Sequence, residues 1–479
     1  MLILFVLLYL LFTVAIGYWA SRRVHSTTDF MLAGRRLPFY MSTAVVFATW
    51  FGSETLLGAS SEFAQHGLLG VIEDPFGAAL CLVLVGIFFA RRLYNMNLLT
   101  IGDYYRIRYN KTTEQIAAFF MVISYFGWIA AQMVALGIVL NQVLGIPTTV
   151  GMILGSLIVV GYTYMGGMWS VSVTDFIQTT MIIGGLLFIL FEITQKVPVA
   201  QVTAGLPSNF FDFTPQERSA TSWLNYFALW ITIGLGSIPQ QDVFQRVMSA
   251  RSAGVAVASS IGAGFLYLTV AFIPLLLALY ARYLYPELQA SDAQLLVPGL
   301  IFNSGSFVVK ALFFGALISA IISTASGGIL APASILSENM MRPLLKTVTD
   351  EQMLRLSRLS VLVVAAISLS MAMMRQNIYE LVSESSALSL VSLFVPLVAG
   401  MFWRKANAAS AIASILAGMG TWLAALYLDT SINPMLYGLA GSIAGLFIGF
   451  VIGRKYGSKE NSITPSNTDG KLKHNVTHK

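Results

Sequence analysis

Hydrophobic residues run along this chain in long blocks, and polar residues are gathered between the blocks. Apolar stretches of spanning length occupy 1–20, 37–58, 68–90, 114–144, 148–167, 171–193, 221–245, 254–280, 304–337, 356–374, 380–402, 407–427 and 433–453. A helix needs about 20 predominantly apolar residues to cross a bilayer core roughly 30 Å thick. The pattern therefore predicts an all-α polytopic membrane protein with about 13 transmembrane helices, each end placed to within about 2–4 residues. Strand-like alternation is missing from the sequence, which excludes an outer-membrane barrel.

Two of these blocks are interrupted in the middle, about 190 residues apart. Helix 2 runs through Ala44-Val45-Val46-Phe47-Ala48-Thr49-Trp50-Phe51-Gly52-Ser53-Glu54-Thr55. Helix 7 runs through Leu229-Trp230-Ile231-Thr232-Ile233-Gly234-Leu235-Gly236-Ser237-Ile238-Pro239-Gln240-Gln241. Lipid cannot satisfy a freed backbone group, so a helix breaks at that depth only against protein or a cavity. Paired breaks in corresponding positions of two halves point to the binding site of a secondary transporter.

Composition supports the membrane assignment. Apolar residues make up 56% and charged residues only 10% of the 479, against about 25% charged in a soluble domain. The net charge of +6 is no nucleic-acid signature, because its placement follows the helix order. The loops and tail on one side hold 23 of the 28 basic residues; the other side holds only Lys196, Arg218, Arg282, Lys310 and Arg375. The positive-inside rule then predicts an external N-terminus and a cytoplasmic C-terminus. Met1–Ala20 lacks a basic leader and reads as a retained first helix rather than a signal peptide. The single Cys81 forms no intrachain disulfide, and His25, His66, His474 and His478 have no metal-ligand spacing. The polar stretch from Gly457 predicts a disordered tail, and its Asn475-Val476-Thr477 sequon is read as chance.

Helix 9 places Ala320, Ser323 and Thr324 at i, i+3 and i+4, on one face. Two hydroxyls beside a small residue suit a weakly charged ion such as sodium, although small residues at this spacing also pack membrane helices. Glu54 lies inside broken helix 2, where an acid costs about 2.5–3.5 kcal/mol on insertion scales. Asp175 stands near the basic end of helix 6, either snorkelling or on an ion path. Glu73 and Asp74 open helix 3, where an interfacial position would account for both. Trp50, Tyr125, Trp128 and Trp230 gather near one depth, and helix 4 carries no basic residue within its membrane-spanning part. Rings plus acids without a counter-cation suit a positively charged or zwitterionic amine. The candidate substrate residues are Trp50, Glu54, Thr55, Glu73, Tyr125, Trp128 and Gln240.

The stretches Ala48-Thr49-Trp50, Tyr162 through Gly167 to Asp175, Ile238-Pro239-Gln240 to Arg246, and Ser319 to Ser326 together resemble the sodium:solute symporter family. Within it the chain is most similar to the branch containing the high-affinity choline transporter. The resemblance implies a LeuT-type 5+5 inverted repeat with broken helices 2 and 7. It divides the chain into 1–36 (first helix and loop), 37–195 (first repeat), 196–220 (external loop), 221–403 (second repeat), 404–456 (helices 12 and 13) and 457–479 (disordered cytoplasmic tail).

By position it implies a sodium site built from carbonyls of Ala48, Phe51 and Ala320 and hydroxyls of Ser323 and Thr324. A second sodium site would use Asp175 and Ser326, but Gly327 stands where the family's neighbouring hydroxyl falls. Trp50 and Trp128 match two walls of the choline branch's aromatic cage; Gln240 and Ala78 replace others. The expectation is a sodium-coupled symporter of a small amine or zwitterion in a bacterial inner membrane. Its partners are sodium, the solute and the bilayer, with no organic cofactor and no nucleic acid, and the sequence leaves its oligomeric state open. Alternatives are proton coupling with a vitamin, carboxylate or sugar as cargo, or a membrane sensor on the same fold. A membrane-embedded enzyme is disfavoured by the lack of a His or Cys pair or an HExxH motif.

Overall fold

A computed structural model of the protein describes residues 2–304, 306–345, 348–428 and 430–456. The tail from Gly457, with its sequon, and Lys346 lie outside the described residues. Each of the thirteen apolar runs coincides with helical structure, and nine helices among the described residues are long and apolar enough to cross a membrane. They are labelled by run. α1 is Leu2–Ser21. α2 is broken into Phe39–Trp50 and 54–66, and α3 covers 67–95. α4 is Lys111–Leu144. α5 and α6 form one path, Thr148–Lys196, kinked at Gly167 where φ is 48°. α7 is broken into Ala220–Gly236 and Gln241–Ser249, and α8 is Ala253–Leu284. α9 starts as Phe307–Ile335 and continues to Leu344. α10 is Asp350–Met374, α11 Ile378–Phe402, α12 Ala408–Tyr427 and α13 Pro434–Tyr456.

The helix starts follow local chemistry. Asn110, Ser219, Ser252, Ser306, Thr349, Asn377 and Asn407 each precede a helix, and each side chain accepts an otherwise orphaned backbone N–H. These caps set the first residue of α4 at 111 and of α11 at 378, ahead of the purely apolar limits. Burial then sorts the helices. In its most apolar stretch α4 is 89% buried, whereas α13 is 33% buried, so α4 lies at the centre and α13 at the lipid-facing rim.

Short helices not expected from hydropathy close the end of the bundle that carries most basic residues: Thr27–Leu32 and Ile101–Arg108. The second is clamped onto α11, because Tyr104, Tyr105 and Tyr109 donate their hydroxyls to the carbonyls of Leu397, Leu393 and Pro396. The loop before α2 meets the end of α7 through a Leu37–Ala250 bridge. Arg246 corrects the charge count above. It lies in the second half of α7 and is fully buried, so it is no loop charge; removing it leaves the asymmetry at 22 to 5 with the same sign.

Candidate functional site

The site grows from the break in α2. Between Trp50 and Glu54 the backbone leaves the helix, and protein groups take over its polar atoms. Gln132 on α4 accepts the Ser53 N–H at 3.1 Å and donates to Glu54 Oε2 at 2.7 Å. The Tyr267 hydroxyl on α8 lies 3.2 Å from the Trp50 carbonyl. On the opposite side Thr324 and Ser323 of α9 reach the Ala48 carbonyl at 3.1 and 3.4 Å. A break at this depth is thus stabilised by three neighbouring helices, as a dry environment demands. Gly52 permits the approach: a Cβ there would stand 2.5 Å from Thr324 Oγ1.

The Ala48 carbonyl and the Ser323 and Thr324 hydroxyls form a buried cluster of neutral oxygens, flanked by Phe51 and Ala320, both fully buried. Hard neutral oxygens are what an alkali cation accepts in exchange for water. Ser323 also donates to Asp175 Oδ1 at 2.6 Å, which brings a carboxylate to the cluster's edge. Asp175 Oδ2 has no hydrogen-bond partner. Ser326, expected beside Asp175, instead donates to the Ser323 carbonyl of its own helix at 2.8 Å.

On the other side of the break lies a cavity of about 20 Å³. Trp50 and Glu54 of α2, Asp74 of α3 and Trp128 of α4 line it, with Ser237 and Gln240 from the break in α7. Tyr267 of α8, Ser385 and Ser386 of α11 and the apolar side chains of Ala78, Ile233 and Val382 complete the wall. Its two carboxylates are held by neutral donors. Trp128 Nε1 donates to Glu54 Oε1 at 3.1 Å, while Asp74 accepts from Thr55 at 2.9 Å and from Tyr267 at 2.7 Å. No basic residue lines this cavity among the described residues.

A second polar group supports the break in α7. Asp242 accepts from Trp50 Nε1 at 2.9 Å and from the Tyr125 hydroxyl, and its own N–H donates to that hydroxyl at 2.8 Å. Arg246, one turn on, donates from Nη1 to the Asp242 carbonyl at 3.3 Å. Its guanidinium fills the space beside Gly327, where a Cβ would stand 1.7 Å from Nη2. Next to Gln240, Gln241 turns away from the cavity, and its Oε1 accepts the Ile101 N–H at 2.8 Å.

The structure therefore brings together most of the residues read from the sequence, in altered roles. Trp50, Glu54, Trp128 and Gln240 line the cavity. Thr55 positions Asp74, and Tyr125 positions Asp242, with its ring 5.9 Å from that of Trp128. Glu73 is buried but stands outside the lining, and one of its oxygens has no hydrogen-bond partner. Asp74 is 2% exposed, not interfacial, because the backbone at 74 departs from the helix (φ −137°, ψ 118°) and turns it inward. Gln132 and Tyr267 had no local signal, and Asp242 and Arg246 lie in the Ile238–Arg246 stretch without a role assigned from sequence; only the packing of distant helices identifies what the four do.

With this geometry in place, comparison with known proteins is decisive for the family. The sodium:solute symporter family model matches residues 30–418. The chain belongs to that family. Among relatives of this symporter, high-affinity choline transporter 1 of Drosophila melanogaster is 28% identical over 84% of the chain, which spans 66% of the fly protein's length. High-affinity choline transporter 1 of Caenorhabditis elegans is 27% identical over 84% of the chain and 74% of that protein. A Na+-coupled sialic acid symporter, solved substrate-bound and outward-open, superposes with a TM-score of 0.82 at 22% identity, covering 95% of this chain and 98% of that one. The symporter's fold is accordingly the LeuT-type arrangement of helices around two broken ones.

Proposed function

We propose that this family member is a sodium-coupled symporter that imports a small organic amine or zwitterion by alternating access. The observation that carries the reading is the shared break in α2. Its Ala48 carbonyl faces the hydroxyls of Ser323 and Thr324, while Trp50 and Glu54, a few residues on, line the cavity. Sodium at the oxygen cluster fixes the unwound segment and thereby the cavity wall. Its release loosens that wall, so coupling passes through shared backbone. Two carboxylates and two indoles without a basic residue favour a cationic centre, and the choline transporters among the relatives support an amine cargo. The two repeats are assigned to 37–195 and 221–403. The charge asymmetry supports a cytoplasmic C-terminus in a bacterial inner membrane.

A thermal-shift screen of amines, amino acids, vitamins and sugars, with and without sodium, tests this, because a ligand that binds only the folded state raises its stability. Vesicles containing the protein should accumulate the amine hit only under an inward sodium gradient. A sodium-dependent shift with sugars or carboxylates and none with any amine would sink the amine reading. Accumulation indifferent to sodium but driven by a pH gradient would overturn the coupling ion.

A further inference from the structure

Charge and hydrogen-bonding capacity in the cavity narrow the cargo further, on the basis of the amine reading above. Glu54 and Asp74 are 4% and 2% exposed, and each is held by neutral donors alone. Arg246 is the one fully buried basic side chain among the described residues. It serves Asp242, and it is not part of the cavity wall. Two buried carboxylates without a counter-charge are costly until a cation arrives. A third group waits beside them: the Gln240 side chain lines the cavity, is 5% exposed, and makes no hydrogen bond to the described residues. Buried polar groups are normally paired, so this amide is free for a ligand.

The lining also discriminates between kinds of cation. A quaternary ammonium has no N–H to donate, and its methyl groups are best recognised by ring faces on several sides. Here Trp50, Trp128 and Tyr267 supply rings and Ala78, Ile233 and Val382 the other apolar parts of the wall, while the two carboxylates, the Gln240 amide and the hydroxyls of Ser237, Ser385 and Ser386 set acceptor oxygens among them. An ammonium that keeps its hydrogens forms short charge-assisted bonds of about 2.7–2.9 Å to such oxygens. We infer that the transported head group is a protonated primary or secondary amine, its N–H hydrogens shared between Glu54 and Asp74 with the Gln240 amide oxygen as a third acceptor, and that quaternary ammonium compounds are rejected.

The test is a methylation series: one primary amine identified in the screen and its mono-, di- and trimethylated forms, compared by sodium-dependent thermal shift and by competition for uptake. The trimethylated form should bind roughly 10- to 100-fold more weakly than the primary amine, the scale of losing hydrogen bonds to charged groups. Asp74→Asn and Glu54→Gln keep the side-chain shape. Each should weaken the primary amine and shrink the primary-to-trimethyl ratio to a few-fold, with unchanged helical circular dichroism and monodisperse elution as the folding control. A trimethylated ligand that binds as tightly as the primary amine overturns the inference and leaves the amine reading standing. So does an unchanged ratio in both variants. If no amine binds while a sugar or carboxylate does, the amine reading itself fails and this inference falls with it.

Discussion

The proposed sodium site makes its sharpest prediction at a residue with no side chain. In Gly52→Ala the new Cβ would stand 2.5 Å from Thr324 Oγ1 and 2.9 Å from Gln132 Oε1, where ordinary contact begins at 3.4 Å. Neither neighbour is free to retreat. Thr324 is bonded to the Ala48 carbonyl, and Gln132 holds both the Ser53 N–H and Glu54. Overpacking of this kind costs about 1–3 kcal/mol. If that cost falls on the sodium-bound geometry, affinity drops roughly 5- to 150-fold, since about 1.4 kcal/mol is tenfold. The assay is a sodium titration of thermal stability in detergent, repeated for uptake in vesicles. Gly420→Ala, with nothing within 4 Å of its Cβ, is the control and should match the parent. A folded Gly52→Ala protein whose half-saturating sodium lies within about twofold of the parent would refute the assignment of Ala48 and Thr324 to the ion.

Ser323→Ala with Thr324→Ala removes both hydroxyls from the Ala48 carbonyl. The double variant should raise the sodium needed for half-maximal uptake, and unchanged sodium dependence would place the ion elsewhere. Trp50→Ala should weaken amine binding roughly 30-fold if the ring faces a desolvated cation. Trp50→Phe should restore part of that without the bond to Asp242; equal binding per folded molecule in both variants would reduce Trp50 to packing. Gly327→Ser restores a hydroxyl at the second-site position but drives a Cβ to within 1.7 Å of Arg246 Nη2. It should cost about 1–3 kcal/mol of stability and leave the sodium Hill coefficient unaltered; a raised coefficient would contradict this. In a Cys81→Ser background, a cysteine at Ser208 should react with an impermeant reagent on intact cells and one at Ser466 should not; the reverse pattern inverts the orientation.

Sequence alone reveals features written in short stretches of chain. Helix positions follow from the length of the apolar runs, and both breaks follow from Gly, Ser, Pro and Glu inside them. The shared face of Ser323 and Thr324 follows from helical spacing. Features that depend on which helices touch are a different matter. Asp74 looks interfacial by position, and only the departure from helix at that residue turns it into the cavity. Arg246 looks like a loop charge because apolar periodicity ends before it. Yet the second half of α7, Gln241–Ser249, is buried throughout, and the missing side chain at Gly327 makes room for the guanidinium. Tyr125 lies at the depth of the aromatic cluster, yet its hydroxyl turns to Asp242, because depth does not fix direction. Tyr267 and Gln132 sit on long apolar helices among many similar residues, and their role emerges only from the polar atoms of a broken neighbour.

Gln240 and Gln241 are consecutive, yet one lines the cavity and the other holds the first N–H of the helix Ile101–Arg108. That helix is fastened in turn to α11 by Tyr104, Tyr105 and Arg108, and α11 returns to the cavity at Ser385 and Ser386. The four parts form a closed mechanical loop with a lever arm of one peptide unit, about 3.8 Å between adjacent Cα atoms. In a closed loop of stiff members, a small rotation of α7 about its break has to be taken up at the softest joint. That joint is the bond at 2.8 Å between Gln241 and Ile101, the one side-chain hydrogen bond between the two elements among the described residues. Hydrogen exchange at the Ile101 amide should therefore slow or quicken as the cavity fills, and an amide indifferent to cargo would show that the loop is slack.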